Sequence, residues 1–273
     1  MAAKPIVTLT TDFGLSDPFA AVLKGVILSI NPEAQVVDIS HQVSSYDLFD
    51  GAMTLALAYS YFPAGAIHVA VVDPGVGSAR RPILLSTRRY KFVAPDNGVL
   101  SLVYEREKEF EVRCITAEHY FLKPVSNTFH GRDIFAPIAA WLSKGVEADK
   151  LGEVITNEVK FATPRPRPLD EGRIQGVVIR VDKFGNLITN IGPPDAPALF
   201  GARPPAFTLT MPKAGASSQP EITRLYTSYS EGKPSELFAV AGSSGYLEIA
   251  QNRASAAKTC EAGRGSEVIL RLG

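Results

Sequence analysis

Cysteine is scarce. The chain has Cys114 and Cys260 and no others in 273 residues. Their separation fits neither a metal-ligand nor a redox spacing, so a disulfide scaffold is excluded and a reducing compartment is expected. Charge of one sign is missing too. Lys+Arg and Asp+Glu both total 28, without the basic excess of a general nucleic-acid binder or membrane-surface protein. Long hydrophobic runs are absent. None reaches the roughly 18 unbroken apolar residues of a membrane helix, and the apolar run at residues 6–9 is too short for a signal peptide. These absences lead to the expectation of a soluble, cytoplasmic protein with no nucleic-acid or membrane partner. Common catalytic signatures are also wanting: no Gly-x-Ser-x-Gly elbow, no His-Glu-x-x-His and no metal cluster. The glycine-rich stretch from Asp73 to Arg81 lacks the Gly-Lys-Ser/Thr ending of a phosphate loop.

The chain is 45% hydrophobic and 21% charged, an ordinary globular composition. Its first half alternates strand and helix patterns. β-Branched residues at 6–10 read as a buried strand, apolar residues at 19–30 as a helix ended by Asn31-Pro32, and 36–39 as a second strand. Residues 47–62 read as a helix and 67–72 as a third strand. Short strands follow at 83–86, 91–93 and 110–115, then a helix at 133–144. This order predicts a mainly parallel sheet with helices on both faces. Thr163-Pro-Arg-Pro-Arg-Pro168 then reads as an extended linker. Beyond it only strands and turns are legible, which predicts a smaller all-β barrel domain. The expected organisation is an N-terminal α/β sandwich at 1–162, a linker at 163–172 and a β-barrel at 173–273.

Polar residues at strand ends are the strongest chemical signal, because open α/β sheets bind ligands outside the carboxyl ends of their strands. Asp12 follows the first strand and Asp73 the third. Each is equally a turn or helix cap when taken alone; together they point to a site. Asp17 suits an ammonium or ribose hydroxyl, or simply the positive end of a helix dipole. The glycines after Asp73 allow a turn that returns Arg80 or Arg81 to it. Of four histidines, His68 sits in a strand and reads as core or edge, while His130, beside Gly131 in a loop, is better placed for a ligand. Phe184 beside Asn186 offers an aromatic face and a bidentate amide, a chemical match for adenine, though a plain hairpin turn accounts for the same residues. Ser243 and Ser244 are candidate carboxylate donors.

Six segments in register carry a resemblance that spans nearly the whole chain. They are Thr10-Thr-Asp-Phe-Gly14, Val72-Asp-Pro-Gly-Val-Gly77, Ala94-Pro-Asp-Asn-Gly98, Thr128-Phe-His-Gly-Arg-Asp133, Asp182-Lys-Phe-Gly-Asn-Leu-Ile-Thr-Asn190 and Ser243-Ser-Gly-Tyr-Leu-Glu-Ile-Ala250. The chain resembles the S-adenosylmethionine hydroxide adenosyltransferases, relatives of the fluorinases and chlorinases. The resemblance implies hydrolysis of S-adenosylmethionine to adenosine and methionine, without a cofactor. It also implies a homotrimer with active sites between subunits. Asp73, Arg80 and His130 match the set that holds water or hydroxide in the hydrolytic branch, a set the halogenating relatives lack. Asp12 matches the ribose-hydroxyl ligand, Tyr46 the aromatic against the ribose, and Asp17 the group on the methionine ammonium. Ser243 and Ser244 match the carboxylate region, where the fluorinase has arginine at the position of Ser244. Phe184, Asn186 and the backbone near Arg253 match the adenine site. Phe129, Gly131, Asp182 and Glu248 are further substrate-side positions in the same motifs. The alternatives are a halide-dependent transferase of the same fold and a non-catalytic adenosine or S-adenosylmethionine sensor.

Overall fold

A computed structural model describes residues 4–212 and 220–273. The chain forms two compact units, 1–162 and 163–273. The first unit runs β1 (Ile6–Thr11), α1 (Phe19–Ile30), β2 (Gln35–Ser40), α2 (Leu48–Ala58), β3 (Ile67–Val71), β4 (Pro82–Thr87), β5 (Lys91–Pro95), α3 (Ser101–Arg106), β6 (Phe110–Cys114), α4 (Ala136–Ser143) and β7 (Val154–Ile155). The sheet order is β2-β1-β3-β5-β4-β6-β7. The pairings β1–β2, β1–β3 and β3–β5 are parallel, and those of β4 with β5 and β6, and of β6 with β7, are antiparallel. The sheet is therefore parallel on one side and antiparallel on the other.

The period-two alternation of the strands builds two cores, one per face. Val69 and Val71 pack with Leu23 and Ile27 of α1 and Ile138 of α4. Ala70 and Val72 turn the opposite way and pack with Leu55 of α2 and Val103 of α3. Because both faces are covered, the central strands are apolar throughout, and all five residues of β3 are buried. Helix α1 forms over the stretch its apolar spacing predicts. It buries Ala20, Leu23 and Ile27 and ends at Asn31, which lies in extended geometry before Pro32.

His68 of β3 is fully buried, with Nδ1 2.7 Å from Thr8 Oγ1 and an aromatic shell of Tyr59, Phe62, Tyr90 and Phe92. Burial pushes its imidazole down to about 3. The unfolded chain would take this proton near the ordinary value of about 6.5, so the unfolded state binds more protons between those limits. Stability is therefore lost as pH falls from about 6.5 toward 3, by up to about 1.4 kcal/mol per pH unit for this one proton. Thermal melts of wild type and His68→Gln across that range should show a shallower acid decline in the variant. Parallel declines would show that His68 contributes nothing to it.

The second unit runs β8 (Arg167–Pro168), β9 (Arg173–Val181), β10 (Leu187–Thr189), β11 (Phe207–Thr210), β12 (Leu225–Tyr226), β13 (Leu237–Ala241), β14 (Leu247–Gln251), the short α5 (Ala256–Thr259) and β15 (Glu267–Leu272). The sheet order is β11-β15-β9-β10-β14-β13-β12, with β8 on β9. Ile222 bridges Leu209 of β11 while Leu225 and Tyr226 pair with β13. One short segment thus touches both edges of the sheet, which curls into a barrel around Val178, Leu247, Ile249, Val268 and Leu270. Part of the proline-rich stretch belongs to this unit, since Arg167 and Pro168 pair with Gln175 and Ile174.

Candidate active site

In the first unit β1 lies between β2 and β3, so the chain leaves β1 for one neighbour and later returns to the other. The strand order reverses between β1 and β3, and a crevice opens beyond their carboxyl ends. Thr11 pairs with Val71 in that register, which brings Asp12 and Asp73 to the same edge. A cleft of about 520 Å³ occupies this place. Asp12, Tyr46, Asp73, Phe129, His130 and Gly131 all line it. Asp17 does not; it is exposed and makes no cap for α1, whose first turn carries no acidic residue.

Arg80 returns to Asp73, and Arg81 turns away to the buried Asp96. Arg80 Nε donates to Asp73 Oδ1 at 2.9 Å, and Nη2 donates to Oδ2. The side chains are 8% and 5% exposed, and the guanidinium lies 5.3 Å over the Phe135 ring. Gly77, at φ +79°, makes the turn possible. Nη2 also stands 2.7 Å from His130 Nδ1. A guanidinium only donates, so Nδ1 must accept, which leaves His130 neutral with its proton on Nε2. Burial, followed by the Arg80 charge, holds the His130 imidazole below its ordinary range, against the opposing pull of Asp73 and Asp133. Arg80 Nη1 is buried with no hydrogen-bond partner among the described residues. The cluster thus sets an acceptor-only carboxylate and a neutral imidazole around one charged, under-satisfied donor, an arrangement suited to holding a small polar nucleophile.

On the other wall, Asp12 Oδ2 accepts from Tyr46 N at 2.8 Å. Tyr46 has φ +65°, a conformation that costs a bulky residue energy, and the residue is 75% exposed. Asp12 holds that strained turn and keeps its other oxygen available. Buried Thr11 and His41 support the loop: their Oγ1 and Nδ1 lie 2.8 Å apart, and the His41 carbonyl accepts from Gly14 N at 2.7 Å. Sequence reading passed over His41, because a histidine between strand and turn carries no periodic signal. It also passed over Arg132, which lines the cleft, stacks on Phe129 at 5.3 Å and is held by fully buried Asp133 at 2.6 Å.

The second unit places the remaining candidates on the β9–β10 turn, the β13–β14 turn, strand β14 and the stretch just after it. Asp182, Phe184 and Asn186 share the β9–β10 turn, with Phe184 76% exposed. Glu248 of β14 is buried and accepts from Ser244 Oγ at 3.2 Å and from Tyr229 OH at 2.8 Å. Tyr229 is a partner that sequence reading did not find. Desolvation and the Glu248 carboxylate push its phenol well above the ordinary range. Because Ser244 gives its proton to Glu248, it faces any ligand mainly as an acceptor. Ser243 and Arg253 are exposed, the latter at φ +54°.

An α/β sandwich with a carboxylate–guanidinium–imidazole cluster at its switch point, followed by a β-barrel whose turns carry aromatic, amide and carboxylate groups, defines a two-domain enzyme of small-molecule chemistry. The two family models for the SAM hydroxide adenosyltransferase N-terminal and C-terminal domains match residues 7–152 and 176–269. The chain belongs to the SAM hydroxide adenosyltransferase family. It is 35% identical over 260 residues to an (R)-S-adenosyl-L-methionine hydrolase of Salinispora tropica, covering 94% of each chain. A protein of the same name from Thermus thermophilus is 36% identical, over 93% of this chain and 94% of the other. A Nocardia brasiliensis fluorinase is more distant, at 25% over 99% of this chain and 98% of its own. Among solved structures, an uncharacterized conserved protein from Thermotoga maritima superposes with a TM-score of 0.88 at 33% identity, over 97% of this chain and 99% of the other.

Proposed function

We propose that the protein hydrolyses S-adenosyl-L-methionine to adenosine and L-methionine by attack of water on C5′ of the ribose. The observation that carries the chemistry is the Arg80 contact to His130 Nδ1. It fixes the imidazole as an Nε2–H donor, so His130 orients the water rather than taking its proton. The Asp73 carboxylate is then the acceptor for a water hydrogen, and Arg80 stabilises developing hydroxide character. The C5′–O bond forms as the C5′–S bond breaks. The bonding pair goes to sulfur, and the sulfonium becomes a neutral thioether. The water proton leaves through Asp73 to solvent. No general acid and no cofactor are needed, because the leaving group departs neutral. In-line placement of water and sulfonium supplies several kcal/mol, on the order of 7–11 in well-oriented systems. Anionic Asp73 at the nucleophile position disfavours a halide, and the identity to hydrolase relatives exceeds that to the fluorinase.

Asp12 binds the ribose hydroxyls and Tyr46 covers the sugar. Phe184 stacks on adenine while Asn186 reads its edge. The methionine ammonium falls to Asp17. The exposed Phe184 of the barrel unit has no partner ring among the described residues. That open ring is consistent with a homotrimer in which one subunit's barrel completes a neighbour's cleft. Light scattering should give about three times the 29.3 kDa chain mass; a monomer with full activity would overturn the shared site. The two free cysteines suit a reducing cytoplasm, and no helix among the described residues is long and apolar enough to cross a membrane.

The direct test is incubation with S-adenosyl-L-methionine in halide-free ¹⁸O-water. Adenosine labelled at the 5′ oxygen, with equal methionine, is expected. Bound but unchanged substrate would make the protein a sensor. The pH profile supplies a second check. Protonating His130 would place an N–H against the Arg80 donor and break the cluster, so turnover should fall on acidification. Since the imidazole is held below its ordinary value, that fall should come below pH about 6.5. A decline centred above it would assign the titration to another group.

A further inference from the structure

The β9–β10 turn fixes its polar groups more tightly than a hairpin requires. Asp182 Oδ1 accepts from the backbone N–H groups of Phe184 and Asn186, both at 2.9 Å. Asp182 Oδ2 accepts from Asn186 Nδ2 at 2.8 Å. Gly185, at φ +86°, packs where a Cβ would fall 2.1 Å from Ser255 Oγ, and its carbonyl accepts from Ala257 N at 2.9 Å. The turn is pinned from both sides, and Asn186 is 6% exposed beside the open Phe184 ring.

A carboxylate has no proton to give, so the Asn186 group facing Asp182 is the amide nitrogen. The amide orientation is therefore dictated by chemistry. Its Oδ1 accepts no hydrogen bond among the described residues. With one amide hydrogen taken by Asp182, Asn186 is left with one N–H and one C=O to offer. A 6-aminopurine matches this pair, its ring nitrogen accepting and its exocyclic amino group donating. Along its N1–C6 edge a 6-oxopurine shows the reversed pair, a ring N–H that donates and a carbonyl that accepts, and would need the amide turned over. Turning the amide over would set its oxygen against the Asp182 carboxylate.

We propose that Asp182 is a positioning residue that sets purine specificity: it locks the Asn186 amide in the orientation that admits a 6-amino group and rejects a 6-oxo group. The inference rests on the reading that the adenine of the substrate lies against Phe184 and Asn186. It gives Asp182 a role through Asn186 rather than a direct contact with the substrate.

The test compares kcat/KM for S-adenosyl-L-methionine and its 6-oxo counterpart, S-inosyl-L-methionine, using the full chain and Asp182→Ser. Serine keeps an oxygen for the turn N–H groups but is too short to hold the amide. Wild type should favour the amino substrate by about tenfold to a hundredfold, the value of one good bidentate pair. The variant should bring that ratio close to one, because the amide can then present either face. A purely structural role would lower both substrates together and leave the ratio intact, which overturns the proposal. So would a wild type that uses both equally. Should the serine variant not fold, Asp182→Asn keeps an oxygen for the turn N–H groups and sets a donor-only amide nitrogen against Asn186, so the Asn186 amide turns over and the preference should move toward the 6-oxo substrate. If wild type turns over neither substrate, the hydrolase reading fails while this one stands to be decided by calorimetry: adenosine should bind more tightly than inosine by the same factor, and equal affinities would sink it.

Discussion

Replacing Asp73 with asparagine is expected to cut kcat by about 10²–10⁴-fold, the range for removing a positioned proton acceptor, with little change in KM. The substitution keeps the shape of the side chain and removes two things at once. It takes away the acceptor that the proposed mechanism gives the water hydrogen. It also turns one of the two contacts to Arg80 into a clash of donors, because an amide offers only one oxygen to a two-pronged guanidinium. Arg80 then loses its orientation, and His130 Nδ1 loses the donor that fixes its tautomer. The three residues act as one unit, so Arg80→Lys should cost about as much as Asp73→Asn. A lysine is a point charge without the fork. The double variant should be hardly worse than either single one. Asp73→Ala is a poorer probe. It leaves a guanidinium only 8% exposed without its counter-ion, and breaking such a buried pair costs about 3–5 kcal/mol of stability. Steady-state kinetics on folded Asp73→Asn decides the matter, and turnover within a few-fold of wild type would remove Asp73 from the chemistry.

Much of this arrangement was legible because strands and turns carry local signals. The β-branched run of β1 and the apolar spacing of α1 depend on residues close in sequence. The glycines after Asp73 announced a return of arginine, and it is Arg80 that comes back. Other features have no local signature. Helix α3 buries Ser101, Leu102, Val103 and Tyr104 in succession, so no polar face marks its period. The antiparallel half of the sheet rests on short runs whose direction is set by which neighbour they meet. Tyr229 reaches Glu248 across 19 residues, and His41 reaches Thr11 across 30. Such pairs exist only once the sheets have formed. Asp17 is exposed and outside the lining of the first unit's cleft, so its proposed contact to the ammonium is carried by the resemblance and not by the cleft geometry.

The second large effect is expected from a residue that touches no ligand. Gly77 sits at φ +79°, and a Cβ there would lie 2.3 Å from the backbone oxygen of Asn127. The obstacle cannot swing aside as a side chain would, because the segment behind it is anchored. Ser126 N donates to the fully buried Asp133 carboxylate at 2.8 Å, and Thr128 N is held by Ser126 Oγ at 3.2 Å. Gly77 therefore sets how closely the loop bearing Asp73 and Arg80 meets the loop bearing His130. In Gly77→Ala the left-handed conformation alone costs about 1–2 kcal/mol, and the contact must open further. A displacement near 1 Å at the cluster is worth about 10²-fold in rate. The variant should thus melt earlier and lose kcat by that order. Gly75→Ala is the matched control in the same turn. Its added Cβ meets only Ser78 Oγ at 3.4 Å and Arg80 Cγ at 3.7 Å, so activity should remain within a few-fold of wild type. Equal losses in the two variants would mean that the turn matters only for stability. A loss confined to Gly77→Ala would show that the distance between two loops, set by one missing methyl group, holds the Asp73–Arg80–His130 cluster together.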